Sequence, residues 1–106
     1  MRRIVFAVLI ACAISSAAHA QSAPPFGYWT TADNGESLLV SESGYCEFKA
    51  GATQVVGACS WNGGNGGGIL TIMNTNQFQP APIPENIVWV NNTTITVWGD
   101  VFYRRE

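Results

Sequence analysis

Apolar and polar residues alternate over short stretches from residue 22 onward, a spacing typical of half-buried β-strands rather than of amphipathic helices. The apolar stretches are rich in valine, isoleucine, threonine and aromatic residues, which favour strands. Glycine, asparagine, aspartate and proline separate these stretches, as they do in antiparallel sheets. The pattern predicts an all-β domain of about 7–8 strands, arranged as a small antiparallel up-and-down barrel or as a sandwich.

The first two strands are predicted over residues 27–31 and 36–41, because the turn signal Asn34-Gly35 separates them. Farther along, residues 62–68 are glycine-rich but lack the lysine of a phosphate-binding loop and the aspartate of a calcium-binding repeat. We expect this glycine-rich stretch to form a flexible connection.

A proline-containing segment follows over residues 75–85, with Pro80, Pro82 and Pro84 at alternate positions. Proline cannot donate a ladder hydrogen bond, so the segment is not expected to form a central strand. It is expected to cross the surface or one end of the fold, as a spacer or as a contact for a partner.

The most informative hairpin contains two cysteines. A turn at Ala52-Thr53 would place Cys46 opposite Cys59, with Phe48 and Trp61 on the same face. Opposed residues of antiparallel strands are close enough for a disulfide. Because the two cysteines lack the Cys-X-X-Cys spacing of a redox pair, we expect their disulfide to be structural.

The C-terminal region predicts a three-stranded meander over residues 87–90, 94–98 and 101–105. Counting in twos assigns one set of side chains to the core: Val88, Val90, Ile95, Val97 and Phe102. The opposite face then combines aromatic residues with threonine: Ile87, Trp89, Thr96, Trp98 and Tyr103. This second face either packs beneath the proline segment or forms a binding surface.

The sequence Gly27-Tyr28-Trp29 resembles the Gly-X-Trp motif in the first strand of calycins, small β-barrels that include lipocalins, avidins and bacterial metalloprotease inhibitors. The resemblance implies a closed barrel in which an arginine near the last strand lies over the tryptophan. Arg104 is preferred to Arg105 for this role because it shares a face with Phe102. Inhibition is implied only by analogy, since residues 21–26 match no inhibitory segment of that subgroup.

The N-terminus has the organisation of an export signal. Basic residues Met1-Arg2-Arg3 precede an apolar run, and Ala18-His19-Ala20 is a small-X-small cleavage site. Residues 1–20 are therefore predicted to be a signal peptide, and residues 21–106 a single domain in the periplasm or the extracellular medium.

An alternative interpretation of the N-terminus is a lipoprotein signal, because Leu9-Ile10-Ala11-Cys12 resembles a bacterial lipobox. Lipid on Cys12 would hold the protein at a membrane. We prefer cleavage before Gln21, since the lipobox would leave an unusually short apolar region.

Export would also remove His19, the chain's single histidine, so a serine nucleophile would have no imidazole base. Zinc ligands are equally scarce, because both remaining cysteines are expected to be oxidised. The formal net charge of −2 argues against binding to nucleic acids. We therefore predict no enzymatic activity, no metal and no cofactor.

Two classes of function remain. The first is a protein-binding module, with an inhibitor of a secreted or envelope hydrolase as one form, which would act through residues 22–26 or through loops. The second is a small-ligand or glycan binder that uses Trp89, Trp98, Tyr103 and Thr96. A barrel filled with side chains favours the first class, and an open aromatic-lined mouth favours the second.

Overall fold

The computed structural model describes residues 22–75 and 80–105, in which the chain forms eight strands and no helix. The strands are β1 (Gly27–Thr30), β2 (Glu36–Val40), β3 (Tyr45–Ala50), β4 (Thr53–Gly64), β5 (Gly67–Asn74), β6 (Ala81–Asn91), β7 (Thr94–Val97) and β8 (Asp100–Arg105). Each strand pairs with the next, and β8 pairs with β1 to close an antiparallel barrel. The predicted all-β fold is confirmed, as a closed barrel rather than a sandwich. No helix within the described residues is long and apolar enough to cross a membrane.

The proposed signal peptide, residues 1–20, lies outside the described residues, and so does Cys12. The boundary before residue 21 therefore stays a prediction.

The barrel interior is filled by side chains. Inward-facing positions alternate with outward-facing ones along the strands, as closure of a sheet requires. The largest fully buried side chains are Trp29, Phe102, Leu38, Leu70, Ile72, Ile87, Ile95, Pro25 and Cys46. A compact filling of this kind leaves the two ends and the outer surface as the places where a partner can bind.

Cys46 and Cys59 form the predicted disulfide, with their Cα atoms 5.8 Å apart. The predicted register of the hairpin was wrong by two residues, because the turn lies at Gly51-Ala52 and Cys46 pairs with Gly57. Gly51 adopts a φ of 62°. This left-handed conformation suits glycine and fixes the turn there. A shift of two residues preserves the faces, so both cysteines still point inward.

The glycine-rich residues form a hairpin, and the prediction of a flexible connection was wrong. β4 continues to Gly64 and β5 begins at Gly67, which leaves only Asn65-Gly66 in the turn. Gly66 has a φ of 84°. A tight two-residue turn requires such a positive value.

The prediction that the proline segment would cross the surface or one end of the fold was wrong for residues 81–85, which form the first half of β6. Pro82 and Pro84 lie in β6, where they pair with Met73 and Thr71 of β5. β7 pairs with β6 only from Ile87 onward, so this half of β6 has a single neighbour. Prolines at alternate positions are tolerated there because their nitrogens share the side that has no partner strand.

The two faces of β6 are the reverse of those predicted. Ile87 pairs with Val97 and Trp89 with Ile95, which turns Ile87 and Trp89 inward, whereas Val88 and Val90 are 45% and 57% exposed. The stretch is apolar at four successive positions, so its alternation carried no information about which set faces the core. The register with β7 alone decides it.

Candidate functional site

The barrel end at which β1 begins is covered by residues 22–26, the arm. The arm belongs to no strand, yet Pro25 is fully buried and Phe26 is 38% exposed. The amide of Phe26 donates to the carbonyl of Pro24 at 2.9 Å. This bond gives a tight turn centred on Pro25. The arm is therefore an ordered cap on this end of the barrel.

Four side chains from four different strands line this end, the mouth, and each donates a hydrogen bond to a backbone carbonyl of the arm. The pairs are Trp61 Nε1 to Ser22 O at 2.7 Å, Trp89 Nε1 to Ala23 O at 3.0 Å, Trp29 Nε1 to Pro25 O at 2.8 Å and Arg104 to Phe26 O at 2.8 Å. Together with the turn bond to Pro24, every carbonyl of the arm accepts a hydrogen bond.

The mouth and the arm are complementary in hydrogen-bonding character. An indole N–H and a guanidinium are donors only, so none of the four mouth side chains can accept a bond. Pro24 and Pro25 have no amide hydrogen and present only carbonyl acceptors. The mouth therefore suits a segment that offers many carbonyls and few amides.

The mouth donors hold one another in place. The ring centroids of Trp29 and Trp89 are 5.6 Å apart in an edge-to-face contact, an arrangement that aromatic pairs favour. The Arg104 guanidinium lies 4.4 Å from the Trp29 ring centroid, where cation and ring attract each other. Arg104 Nε also donates to the carbonyl of Asn92 at 3.2 Å. The contact between Arg104 and Trp29 that the calycin resemblance implied is present, on the paired strands β1 and β8.

Arg105, which was not preferred for the contact with Trp29, is engaged elsewhere. Its Nε donates to Thr30 Oγ1 at 2.6 Å, and its Nη2 donates to the carbonyl of Thr31 at 3.3 Å. Thr30 is buried, so Arg105 closes the seam between β8 and β1 on the outer surface.

Gly63 makes room for the arm. A Cβ atom at this position would overlap the carbonyl oxygen of Ser22 and the Nε1 of Trp61, the two atoms that form a hydrogen bond. At Gly68, a Cβ would crowd the Trp61 ring. Sequence reasoning missed this role, although glycines two and seven positions after an inward-facing tryptophan are a usable signal of close approach.

Gly63→Ala should therefore loosen the arm. We expect the free energy of unfolding to fall by about 1 kcal/mol, the typical contribution of one hydrogen bond. Chymotryptic cleavage after Phe26 should become at least about fivefold faster, since cleavage needs local opening. Gly64→Ala is the matched control, because nothing lies within 4 Å of its Cβ position. Equal cleavage rates in the two variants would contradict the role assigned to Gly63.

The sequence-predicted binding residues do not share one face. Trp89 points into the mouth, whereas Trp98 is 61% exposed at the turn between β7 and β8 and Tyr103 is 40% exposed on the outer surface. Thr96 lies on that outer surface between Val88 and Val101, with which it pairs. The predicted aromatic and threonine face is therefore split, because the reversal of β6 takes Trp89 inside.

At the opposite end of the barrel, Glu85 is a buried carboxylate with an exposed fraction of 4%. Trp98 Nε1 donates to its Oε1 at 2.9 Å. Burial raises the pKa of the Glu85 carboxyl, and the hydrogen bond from Trp98 partly offsets this effect. A glutamate that follows a proline gave no sign of burial in the sequence.

The pKa of Glu85 predicts a pH dependence of stability. Below pH 4.5, the ordinary pKa of a glutamate, the carboxyl is protonated in both the folded and the unfolded chain, so its ionisation does not affect stability. As the pH rises, the unfolded chain loses this proton first, so Glu85 lowers stability until its folded pKa is passed. Glu85→Gln should remove this loss and still accept from Trp98. Thermal denaturation between pH 3.5 and 8 measures this effect. The melting temperature of Glu85→Gln should rise relative to that of the wild type as the pH rises, whereas that of the exposed control Glu42→Gln should not. Parallel profiles for the wild type and Glu85→Gln would contradict the prediction.

Beside the arm lies a cleft of about 200 Å³. Its walls come from the arm, the turn between β2 and β3, and β4, with Pro24, Phe26, Val40, Trp61 and Leu70 as the main apolar contributors. Over residues 22–75 and 80–105, no three His, Cys, Asp or Glu side chains converge as a metal site requires. No protein family, curated protein or solved structure matches the chain.

Proposed function

We propose that the protein is an exported, non-catalytic protein-binding module whose binding site is the mouth. The observation that carries this proposal is the convergence of four donor side chains on the backbone carbonyls of the arm. A segment of a partner protein can offer the same groups, since every peptide unit carries a carbonyl acceptor. The filled interior supports the same conclusion, because it leaves no lumen for a small ligand.

The partner class we propose is a secreted or envelope hydrolase, which the protein would inhibit. The support is the calycin-like arrangement, with Arg104 over Trp29 in a closed barrel that has one disulfide. This is an argument from fold and motif, not from a matched inhibitory segment. The disulfide is consistent with an oxidising compartment, and we propose the periplasm or the extracellular medium, with lipid attachment at Cys12 as the minor alternative.

Affinity capture tests this proposal. The mature domain, tagged at its C-terminus, is used to capture proteins from periplasmic extract and culture medium, next to Trp89→Phe and Tyr103→Phe variants whose folding is checked by thermal denaturation. We expect a partner that binds the wild type and Tyr103→Phe and is depleted at least about fivefold with Trp89→Phe, which lacks the indole donor. Direct binding to the purified partner then gives the affinity. A partner retained by Trp89→Phe and lost with Tyr103→Phe would move the site to the outer surface.

The second candidate function is binding of a small ligand or a glycan. The cleft beside the arm favours it, because apolar walls and the Glu42 carboxylate lie together there. Its volume is about 200 Å³. That volume is below the range of roughly 300–1,000 Å³ that ligand sites usually have. One ring or a short alkyl chain would fill it, so this candidate ranks second.

A further inference from the structure

We infer that the mouth binds polypeptide segments that contain consecutive prolines, and that the arm is its intramolecular occupant. This inference rests on the proposed function and specifies the chemistry of its ligand. The protein would then be partly self-inhibited, because an external segment must displace the arm before it can bind.

The first step of the argument concerns what the mouth can recognise. Its donors contact only main-chain carbonyls of the arm, at Ser22, Ala23, Pro25 and Phe26. Such bonds depend on the course of the main chain, including the turn at Pro25, rather than on particular side chains. Proline restricts the backbone and removes amide donors, so consecutive prolines suit a site that binds carbonyls.

The second step concerns proline itself. The side chain of Pro25 is fully buried at the mouth. Any residue other than proline would bring a backbone N–H to this position, and none of the four mouth side chains can accept a hydrogen bond from it. A buried amide without an acceptor is costly, and proline avoids that cost. Pro24 restricts the backbone of the arm before it binds, so less conformational entropy is lost when the arm binds to the mouth.

The third step concerns whether the arm can leave. Ser22 and Ala23 are exposed, and the arm is held by hydrogen bonds and one buried ring rather than by strand pairing. Gly27 follows it with a φ of 128°. Residues with side chains rarely adopt this conformation, so a glycine marks the junction between arm and barrel. Because the Trp29 and Trp89 rings and Arg104 support one another, the donors stay positioned when the arm departs.

The test uses the indole signals of the four tryptophans in an NMR spectrum of the mature domain. Trp29, Trp61 and Trp89 report on the mouth, and Trp98, bonded to Glu85, is the internal reference. In a Pro24→Gly/Pro25→Gly variant we expect the three mouth signals to move and the Trp98 signal to stay.

A synthetic peptide with the sequence of residues 21–27 is then titrated into the variant and into the wild type. We expect it to return the three mouth signals towards their wild-type positions, with an apparent affinity for the variant at least about tenfold higher than for the wild type, whose mouth is occupied. The same peptide with both prolines replaced by alanine should bind at least about tenfold more weakly, the equivalent of about 1.4 kcal/mol. Adding Gly63→Ala to the variant should weaken binding at least about fivefold, the equivalent of about 1 kcal/mol, and Gly64→Ala should not.

Equal binding of the two peptides would overturn the inference, as would unmoved mouth signals at millimolar peptide. Unchanged mouth indole signals in the Pro24→Gly/Pro25→Gly variant would also overturn it, because the arm would then bind to the mouth without its prolines. If the Pro24→Gly/Pro25→Gly variant does not fold, the same spectra and titrations are recorded with Pro24→Gly alone, and the same results would support or overturn the inference. A captured protein partner that needs Trp89 but shows no preference for proline would leave the proposed function standing and remove only this inference.

Discussion

Trp29→Ala is expected to lower the free energy of unfolding by about 3–5 kcal/mol, the usual cost of truncating a fully buried aromatic side chain. The indole is completely buried, packs edge to face on Trp89 and lies under Arg104. It also holds the buried end of the arm through the carbonyl of Pro25. In a domain of this size the loss corresponds to a fall of roughly 15 °C or more in melting temperature.

Tyr28→Ala is the matched control for Trp29→Ala. Tyr28 is the neighbouring aromatic residue on β1, but it points outward and is 45% exposed. Its removal should change the free energy of unfolding by less than about 1 kcal/mol. Urea denaturation of both variants measures the difference, and a similar small loss in each would show that Trp29 does not anchor the barrel.

The strands and the disulfide could be predicted because each leaves a local mark in the sequence. Turn signals such as Asn34-Gly35 bound the strands, and alternation within the cysteine hairpin places Cys46, Phe48 and Trp61 on one side. The two-residue error in its register did not matter for the faces, since a strand repeats every two residues. The faces of β6 could not be predicted in this way, because residues 87–90 are all apolar and do not show which alternate set faces the core.

Apart from the contact between Arg104 and Trp29 that the calycin resemblance implied, the mouth could not be predicted, because its parts meet only when the barrel closes. Trp29, Trp61, Trp89 and Arg104 come from β1, β4, β6 and β8, and they share no motif. The arm gave a weak sign, since consecutive prolines before a first strand are an extended segment with few amides. Only the barrel geometry shows that three indoles point at it.

The three mouth tryptophans therefore both fill the core and hold the arm, which explains why their loss should be so costly. Each mouth indole packs its ring against the core and turns its N–H to the arm, the arrangement that suits an amphipathic ring at the edge of an apolar interior. The arm in turn covers the end of a core that a domain this small cannot otherwise close. Binding of a partner at the mouth, as proposed, would therefore be linked to the stability of the barrel.

The second large effect is expected for the double variant Cys46→Ala/Cys59→Ala. The disulfide joins two residues with a sequence separation of 13. Loss of that loop closure should cost roughly 3 kcal/mol on the chain-entropy model. Cys46 is fully buried within the core cluster, so its truncation adds a small packing loss. Changing both cysteines together avoids a free thiol that would form mixed disulfides.

Urea denaturation of the double variant and of the wild type, with and without a reducing agent, measures this contribution. Reduced wild type should approach the double variant, whereas a reducing agent should not affect the variant itself. Because β3 and β4 also pair through their backbones, from Tyr45↔Ala58 to Ala50↔Thr53, we expect the variant to remain a folded barrel at low temperature. A loss below about 1 kcal/mol would mean that the unfolded chain gains little freedom from reduction, and that the aromatic core and the arm alone determine the stability of the barrel.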